Sequence, residues 1–269
     1  MTDHLEARLA DLAGRIDSLG SLVVAFSGGA DSAFLLAAAV RTLGPGRVLA
    51  ATSTSAALAS GEWEAAHSFA RSLGVEHIAV TTDELQRPGY VANGPDRCYH
   101  CKAELTEVLT DLAERRGFAV VATGTNADDL REPHRPGLRA AEENDVATPL
   151  ADAGLTKADV REASRRWGLP TWDKPQAACL ASRVAYGVSV DADRLARIDA
   201  AESAARSALT DAGITVTNLR VRDLGDRARI EVDAPCVVRK VWTSAVIAGV
   251  VASGFPWPRS THGVPAPGC

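Results

Sequence analysis

Three cysteines of this 269-residue chain have the surroundings and the spacing of reactive or metal-binding thiols. Cys98 and Cys101 form a C-x-x-C pair in the polar stretch "RCYHCK", and Cys179 stands far downstream in "CLASR". A structural zinc site needs four ligands, and the chain has no second C-x-x-C pair. Three thiolates suit a [4Fe-4S] cluster with one open iron, whereas a thioredoxin-like redox site needs only the pair. Spacing alone leaves both interpretations open.

A second stretch, "FSGGADS", has the composition of a loop that binds phosphate. Gly28 and Gly29 let the backbone approach a ligand closely, and the N-terminus of a following helix offers unpaired N–H groups to an anion. Ser27 and Ser32 add hydroxyl donors, while Asp31 is suited to hold Mg²⁺ or to orient the loop. The stretch is neither a Walker A loop nor a G-x-G-x-x-G fingerprint. The alternative is a tight strand–helix turn in which the glycines have only a steric role.

The segments around these residues predict a parallel α/β fold. The run Leu22 to Phe26 is a short apolar strand, and helices follow at Ala33 to Leu43, at Ala103 to Arg116, and after a capping box of Thr156 and Asp159. Alternating strands and helices imply a parallel sheet with helices on both faces, and ligands gather beyond the carboxyl ends of such strands. The polar sequences "SGGADS", "TSTS" and "TGTNADD" fall at those ends.

The rest of the chain predicts a smaller α+β domain. A stretch from 170 to 189 lacks periodicity and contains Cys179. We expect a main domain over 1–187, a smaller substrate or oligomerisation domain over 188–255, and a flexible tail over 256–269. The predicted elements of the smaller domain are a helix over 191–212, strands near 216–222 and 227–233, and a last helix over 235–252.

The composition, with 46% hydrophobic and 23% charged residues, is that of a globular protein. The net charge of −5 argues against nucleic acid and anionic membranes as partners. The N-terminus lacks the basic region and apolar core of a signal peptide, and no apolar run reaches the ~18 residues of a membrane span. Five unevenly spaced cysteines do not suggest a secreted disulfide framework. We therefore expect a cytoplasmic protein without a membrane partner.

Four stretches together resemble those of one family. "FSGGADS", "RCYHCK", "GTNADDLREPHRPGLRAA" and "CLASRVAYG" are similar to segments of the LarE-type ATP-dependent sulfur transferases, members of the PP-loop ATP pyrophosphatase superfamily. The resemblance runs from about residue 20 to residue 235. It implies a PP-loop or HUP-like fold of the adenine nucleotide alpha hydrolase type for the main domain.

The resemblance also implies a reaction. ATP adenylates a carboxylate of pyridinium-3,5-biscarboxylic acid mononucleotide, pyrophosphate leaves, and sulfur displaces AMP to give a thiocarboxylate, in nickel-pincer cofactor biosynthesis. The implied cofactors are ATP, Mg²⁺ and, in one branch of the family, a [4Fe-4S] cluster. The implied partners are the small-molecule carboxylate mononucleotide and sulfide or another sulfur donor. Family members can form ring-like homo-oligomers through their smaller domains, so we expect a homo-oligomer.

Two sulfur sources occur in the family. In one branch the cysteine that matches Cys179 gives up its own sulfur and remains as dehydroalanine. In the other branch two more cysteines stand in the "RCYxCK" stretch, and a [4Fe-4S] cluster delivers sulfide from its open iron. Because this chain has Cys98 and Cys101 at those positions, the resemblance favours a cluster held by all three cysteines. A sacrificial Cys179 is the alternative.

The resemblance assigns further residues to the nucleotide and to the substrate phosphate, with Glu202 as an additional candidate on the substrate side. Plainer alternatives exist: Asp128 and Asp129 resemble helix-capping acids, "CLASR" can be a solvated loop, and the arginines of "LRVRDLG" can pair with Asp223 and Asp226 on an exposed strand. The implied ATP set is Ser27, Gly28, Gly29, Asp31, Ser32, Lys102, Gly124, Asp128 and Arg135, and the implied phosphate set is Ser182, Arg183, Arg220 and Arg222.

Three rival hypotheses remain. A tRNA thiolase uses the same adenylation step, but it needs an RNA-binding module with a basic surface, which the net charge of −5 argues against. A thiolase that acts on a natural-product carboxylic acid has the same motifs. A nucleotide- or redox-sensing binding protein would carry a degenerate phosphate loop, whereas the SGGxDS and GTNxDD patterns are intact here.

Overall fold

The chain folds into two compact units, which are described separately. The computed structural model describes residues 2–131, 136–175, 178–232 and 243–255. The first unit comprises Met1–Tyr90 and Asp96–Ala177, and the second comprises Val91–Pro95 and Ala178–Cys269. The domain boundary after residue 187 stays a prediction, because compactness does not test independent folding. No helix in the described part of the chain combines the length and apolar character that a bilayer crossing requires.

The first unit is built on a four-stranded parallel sheet, which confirms the predicted fold class. The strand order is β3-β2-β1-β4, so the first strand lies inside the sheet. Its residues Leu22, Val23 and Val24 are fully buried, as expected for a strand covered on both faces. The strands are β1 (Leu22–Ala25), β2 (Val48–Ser53), β3 (Glu76–Val80) and β4 (Val120–Thr123).

This strand order creates a switch point between β1 and β4. From β1 the chain proceeds outward through β2 and β3, and it then crosses back to place β4 on the other side of β1. In parallel α/β sheets the crevice for a ligand opens where the connections leave in opposite directions, beyond the carboxyl ends of the strands. The segments after β1 and β4 are "FSGGADS" and "GTNADD", so the topology brings these two predicted segments to one edge.

Helices cover both faces of the sheet, and successive residues of β1 point to opposite cores. Val24 belongs to the core that includes Phe34 of the helix after the phosphate loop, whereas Val23 belongs to the core that includes Leu109. The helices of this unit are α1 (Thr2–Leu19), α2 (Ala30–Leu43), α3 (Glu62–Ser72), α4 (Pro88–Val91, without its last residue), α5 (Arg97–Arg116), α6 (Pro136–Glu142), α7 (Pro149–Asp152) and α8 (Lys157–Arg166).

Of two helix starts predicted from the sequence, one is confirmed and one is wrong. The capping box is confirmed, because the Thr156 hydroxyl accepts from the Asp159 N–H and the Asp159 carboxylate accepts from the Thr156 N–H. The start predicted at Ala103 is wrong, because α5 already begins at Arg97. Cys, Tyr and His are weak helix formers, but tertiary contacts override this preference. The His100 ring packs so tightly on the glycine at position 89 that a Cβ there would lie 2.0 Å from Nε2.

The second unit contains a long helix, a two-stranded antiparallel sheet and a last helix, as the sequence predicts. Asn93 ties the short segment Val91–Pro95 into this unit, since its amide donates to the carbonyls of Ala185 and Val188, each at 2.8 Å. The predicted helical residues 235–242 lie outside the described residues. The elements are α9 (Ala192–Asp211), β5 (Leu219–Asp223), β6 (Ala228–Val232) and α10 (Thr243–Ala252).

Candidate functional site

The loop between β1 and α2 forms an open cradle of hydrogen-bond donors. Gly28 has a left-handed φ of +69°, and Gly29 is the N-cap of α2, so no side chain covers the first N–H groups of that helix. The hydroxyls of Ser27 and Ser32 lie 3.1 Å apart, and the Gly29 N–H makes only a long, 3.4 Å contact with Ser27 Oγ. Backbone donors, hydroxyls and a helix N-terminus can together bind a phosphate group.

The end of β4 closes one side of this cradle through Gly124. A Cβ at this position would lie 2.7 Å from the amide nitrogen of Ser32 and 2.9 Å from the carbonyl carbon of Asp31. Since both neighbours are backbone atoms of α2, a larger residue would require a shift of the strand end or of the helix. The structure therefore brings Gly124 against the phosphate loop, and the backbone contact itself requires glycine.

Asp31 is a partly buried carboxylate with one buried oxygen, Oδ1, that lacks a hydrogen-bond partner among the described residues. Burial raises the pKa of Asp31, the charge of Asp129 raises it further, and the charges of Lys157 and Arg161 oppose the increase. An unsatisfied carboxylate oxygen beside a phosphate cradle fits Mg²⁺, which is commonly bound by one or two carboxylates together with phosphate oxygens.

Asp128 has a structural partner in the same region. Its Oδ2 accepts from the backbone N–H of Lys157, the first residue of α8, at 2.9 Å, and its Oδ1 accepts from Arg131 at 3.3 Å. Asn126 shapes the turn, because its Oδ1 accepts from the N–H groups of Asp128 and Asp129. The helix-capping alternative therefore describes the contacts of Asp128, while an ATP contact stays a prediction.

The cysteine pair lies in the N-terminal part of α5, before the helix start predicted at Ala103. Cys98 is exposed and Cys101 is half-buried. Residues three apart share a helix face, so both thiols project from the same side and fit two ligand positions of one metal centre. Lys102 is exposed, and it packs against Gly137. Arg135 lies outside the described residues.

Across the ranges that the structure describes, no group of three or more His, Cys, Asp or Glu side chains is arranged to hold a metal ion. The third predicted cluster ligand, Cys179, belongs to the second unit. A cluster with all three cysteines therefore stays a prediction.

Cys179 is exposed and immediately precedes a 3₁₀ turn, Leu180–Arg183, that is fastened by one arginine. The guanidinium of Arg183 donates to the carbonyls of Ala178 at 2.5 Å and Cys179 at 3.1 Å, and to Ser182 Oγ at 3.1 Å. Its other nitrogens bind both carboxylate oxygens of Glu202, at 2.9 and 3.2 Å. All three guanidinium nitrogens therefore have protein acceptors.

This arginine and Glu202 form a buried ion pair. The side chains are only 8% and 11% exposed, and Glu202 Oε1 also accepts from the Val221 N–H of β5 at 3.0 Å. The pair thus joins helix α9, strand β5 and the segment of Cys179 and Leu180–Arg183, called the cysteine turn below, in one network. In such a position Arg183 fixes the backbone around Cys179, and binding of a substrate phosphate by this residue stays a prediction.

Arg220 and Arg222 lie on one face of β5, as the alternation predicts. Arg222 donates to Glu231 Oε2 at 2.9 Å and to the Ser182 carbonyl at 3.0 Å. The structure therefore brings Ser182, Arg183 and Arg222 together within the second unit. For Arg222 the alternative of pairing with Asp223 is wrong, because that carboxylate is buried on the opposite face. There it binds two arginines of α9, Arg194 and Arg197, at 2.6 and 2.8 Å.

The cations around the phosphate loop were not predicted from the sequence. Lys174 donates from Nζ to the Gly28 carbonyl at 3.1 Å and to Glu62 Oε2 at 2.8 Å. The charges of Lys157 and Arg161 lower the pKa of Asp31 and so oppose the effect of burial. One signal was present: only four of the 29 basic residues are lysines, and Lys174 is one of them. In an arginine-rich chain, a compact ammonium near a phosphate loop is a candidate for a specific role.

A glycine-rich cradle at the switch point of a parallel sheet is consistent with the layout of a PP-loop or HUP-like α/β protein. The chain is 39% identical over 227 residues to an uncharacterised protein of Synechocystis sp., across 84% of this chain and 82% of the relative. It is 34% identical over 227 residues to the pyridinium-3,5-bisthiocarboxylic acid mononucleotide synthase of Lactiplantibacillus plantarum, across 84% of this chain and 80% of the relative. An uncharacterised protein of Methanocaldococcus jannaschii is 35% identical over 143 residues, which are 53% of each chain.

No protein-family model matches the chain. The identity and coverage shared with the Lactiplantibacillus enzyme nevertheless show that the chain belongs to the pyridinium-3,5-bisthiocarboxylic acid mononucleotide synthase family. The predicted LarE-type resemblance is thereby confirmed.

Proposed function

We propose that this protein is an ATP-dependent sulfur transferase that converts a carboxylate of pyridinium-3,5-biscarboxylic acid mononucleotide into a thiocarboxylate. The observation that carries the proposal is the open donor cradle from Ser27 to Ser32, closed by Gly124, in a member of this family. The carboxylate oxygen is a poor leaving group, so ATP first converts it into an acyl adenylate with release of pyrophosphate. Sulfur then attacks the acyl carbon, and AMP leaves.

In the activation step the first unit binds and orients ATP. The N–H groups at the start of α2 and the hydroxyls of Ser27 and Ser32 face the phosphates and stabilise the charge that develops on pyrophosphate. Asp31 would hold Mg²⁺, which supplies positive charge to the phosphates. Burial favours the neutral form of Asp31 until a cation arrives, so metal and carboxylate reinforce each other.

In the second unit, the face of β5 is the candidate site for the mononucleotide phosphate. Arg222 is held beside the Ser182 carbonyl, and Arg220 lies on the same strand face. Arginine donors in a fixed planar fork are well suited to phosphate oxygens. We assign Arg183 a different part: its guanidinium binds the carbonyls of Ala178 and Cys179, which precede and follow the Cys179 Cα, and thereby positions the thiol.

For the sulfur source, we propose that Cys98, Cys101 and Cys179 hold a [4Fe-4S] cluster. When bound, such a cluster supplies an open iron that carries sulfide. The two thiols on one face of α5 support this choice over a lone sacrificial cysteine. In the alternative, Cys179 itself attacks the acyl adenylate and is left as dehydroalanine.

Pyrophosphate release tests the proposed activation step. The wild-type protein with Mg·ATP should release pyrophosphate only when the carboxylate mononucleotide is added, and it should incorporate labelled pyrophosphate into ATP. The Cys179→Ser variant should retain this exchange but form no thiocarboxylate, because activation precedes sulfur transfer. Absence of exchange with the mononucleotide would contradict the proposal. Exchange with a natural-product carboxylic acid instead would reassign the substrate.

Anaerobic purification tests the sulfur source. Iron and acid-labile sulfide should be present in the wild-type protein and absent from the Cys98→Ser/Cys101→Ser variant. A protein without iron that loses one H₂S equivalent from Cys179 after a single turnover would establish the sacrificial route instead.

A further inference from the structure

Lys174 lies behind the phosphate loop and is held there from two sides. Its Nζ is 3.1 Å from the Gly28 carbonyl oxygen and 2.8 Å from Glu62 Oε2. The side chain of Lys174 is only 23% exposed, and that of Glu62 is 26% exposed. The Lys174 N–H donates to the Thr171 carbonyl at 3.1 Å, so a turn fixes the backbone that presents the ammonium group. The contact with the loop spans 146 residues of sequence.

The contact between Lys174 and the Gly28 carbonyl determines the orientation of the peptide group between Gly28 and Gly29. In a trans peptide the C=O and N–H groups point in opposite directions. Because the Gly28 carbonyl points toward Lys174, the Gly29 N–H points away from it, into the cradle beside Ser27 Oγ. Glycine at position 28 has little intrinsic preference between alternative φ values, so an external contact is needed to hold one orientation.

The ammonium group also contributes charge. Two of its three N–H bonds go to the Gly28 carbonyl and to Glu62, and the positive charge stays beside the loop. Glu62, in the first turn of α3, fixes Lys174 without displacing it from the loop. Ala66 of α3 is a second neighbour of the loop, since a Cβ on Gly28 would lie 3.2 Å from Ala66 Cβ and 3.8 Å from Lys174 Nζ. The loop is thus supported by one packed methyl group and one cation.

We propose that Lys174, anchored by Glu62, is a positioning residue of the nucleotide site. It holds the Gly28–Gly29 peptide with its N–H toward the phosphate chain of the bound nucleotide. This inference rests on the proposed function, because it assumes that the loop binds the phosphates of ATP. It predicts a selective effect on ligands that carry a phosphate chain.

Binding of two ligands to the full-length protein tests the proposal. One ligand is the Mg²⁺ complex of α,β-methylene-ATP, which cannot be split between its α- and β-phosphates. The other ligand is adenosine. Lys174→Met should weaken binding of the ATP analogue by about tenfold or more, as expected when a charge-assisted hydrogen bond is lost, and should change adenosine binding less than twofold. The control Arg15→Met removes an exposed cation that pairs with Asp11 on α1, and it should change neither affinity.

A second variant separates positioning from general damage to the fold. Glu62→Ala keeps the ammonium group but removes one of its anchors, so we expect a smaller, two- to fivefold loss that is again confined to the ATP analogue. Equal affinities of the wild type and of Lys174→Met for the analogue would overturn the proposal. Equal losses for both ligands would also overturn it, because they would indicate a merely structural role. If the wild-type protein binds no Mg²⁺ complex of the analogue, the proposed function fails and this inference fails with it.

Discussion

The phosphate loop of the first unit and the cysteine turn of the second unit are both short polar segments, but their hydrogen-bond donors have different uses. At the start of α2, the N-cap is a glycine without a side chain, and the Gly29 N–H makes one long contact of 3.4 Å. In the cysteine turn, by contrast, the guanidinium of Arg183 binds two carbonyls, one hydroxyl and the carboxylate of Glu202. The first segment keeps donors for a ligand, and the second uses its donors to hold its own backbone.

The difference shows that a basic residue near a reactive group is not necessarily a ligand-binding residue. A buried guanidinium must be fully paired, because an unpaired buried charge is very costly. Under the proposed function, a paired Arg183 would contribute to catalysis by holding Cys179 in place. The phosphate loop can leave its donors open because backbone N–H groups at a helix terminus carry only partial charge and remain accessible to water or ligand.

The largest expected effect comes from breaking the ion pair in the second unit. Arg183→Met leaves the carboxylate of Glu202 buried without its partner, so we expect the free energy of unfolding to fall by about 3–5 kcal/mol. Urea denaturation measures this loss. The double variant Arg183→Met/Glu202→Leu should recover much of the stability, because it removes both charges together.

The same variant distinguishes the two roles of Arg183. If this residue mainly binds substrate phosphate, Arg183→Met will retain nearly full stability and lose only mononucleotide binding. That outcome would mean that the cysteine turn, like the phosphate loop, keeps its donors for a ligand. A stable double variant that still fails to transfer sulfur would instead support the positioning of Cys179.

The phosphate loop was predictable because its signals are local. The apolar residues of β1, the glycines and the start of α2 follow one another, and they predict a strand, a turn and a helix without knowledge of the rest of the chain. The pairing of Arg183 with Glu202 spans 19 residues and joins two different elements, so only the packing of the second unit reveals it. Lys174 was missed for the same reason, since its partner Gly28 is distant in sequence.

The second effect tests how closely the phosphate loop is packed. Gly124→Ala would place a Cβ 2.7 Å from the Ser32 backbone nitrogen, so the end of β4 or the start of α2 must shift. We expect a loss of about 1–3 kcal/mol in the free energy of unfolding, together with weaker binding of Mg·ATP. Gly14→Ala is the matched control. It lies within α1 with no atom near its Cβ, and it should stabilise the protein by about 0.5–1 kcal/mol.

Behind the phosphate loop, a closed network supports the residue that precedes it. The Thr52 hydroxyl donates to the Phe26 carbonyl, so its oxygen must accept from His77 Nε2, which lies 2.8 Å away. Burial, with a smaller contribution from His67, lowers the pKa of His77 from 6.5 to about 4. The unfolded chain therefore takes up a proton more readily than the folded chain. Stability is fully present above about pH 6.5 and is lost as the pH falls toward 4.

Acid titration of stability checks this third prediction. Because solvent screens the half-buried His77, we expect a loss of about 1–2 kcal/mol over that window. His77→Gln keeps a donor for Thr52 but does not titrate, so its stability should depend less on pH between 6.5 and 4. An unchanged slope in this variant would show that another group carries the acid sensitivity.

Substitution of Asp31 gives the smallest expected change in stability. It is a gain in the free energy of unfolding, whereas the three preceding predictions are losses. The folded pKa of Asp31 is raised above the ordinary carboxylate value, mainly by burial, so the folded state holds the proton more tightly than the unfolded state. Stability therefore decreases as the pH rises through this window, and the ionised carboxylate is destabilising at neutral pH. Asp31→Asn removes that charge and should raise the free energy of unfolding by about 1 kcal/mol, or a melting temperature by about 2–4 °C.

The same variant should lose Mg²⁺-dependent pyrophosphate release, because the amide cannot replace a carboxylate ligand. In the wild-type protein, protons and Mg²⁺ compete for Asp31, so the Mg²⁺ concentration needed for pyrophosphate release should rise as the pH falls. Asp128→Asn is the matched control: its carboxylate caps α8 at Lys157, so it should lose about 1 kcal/mol of stability. A destabilised Asp31→Asn variant would mean that this acid, too, serves the fold, and the open loop would then resemble the closed cysteine turn.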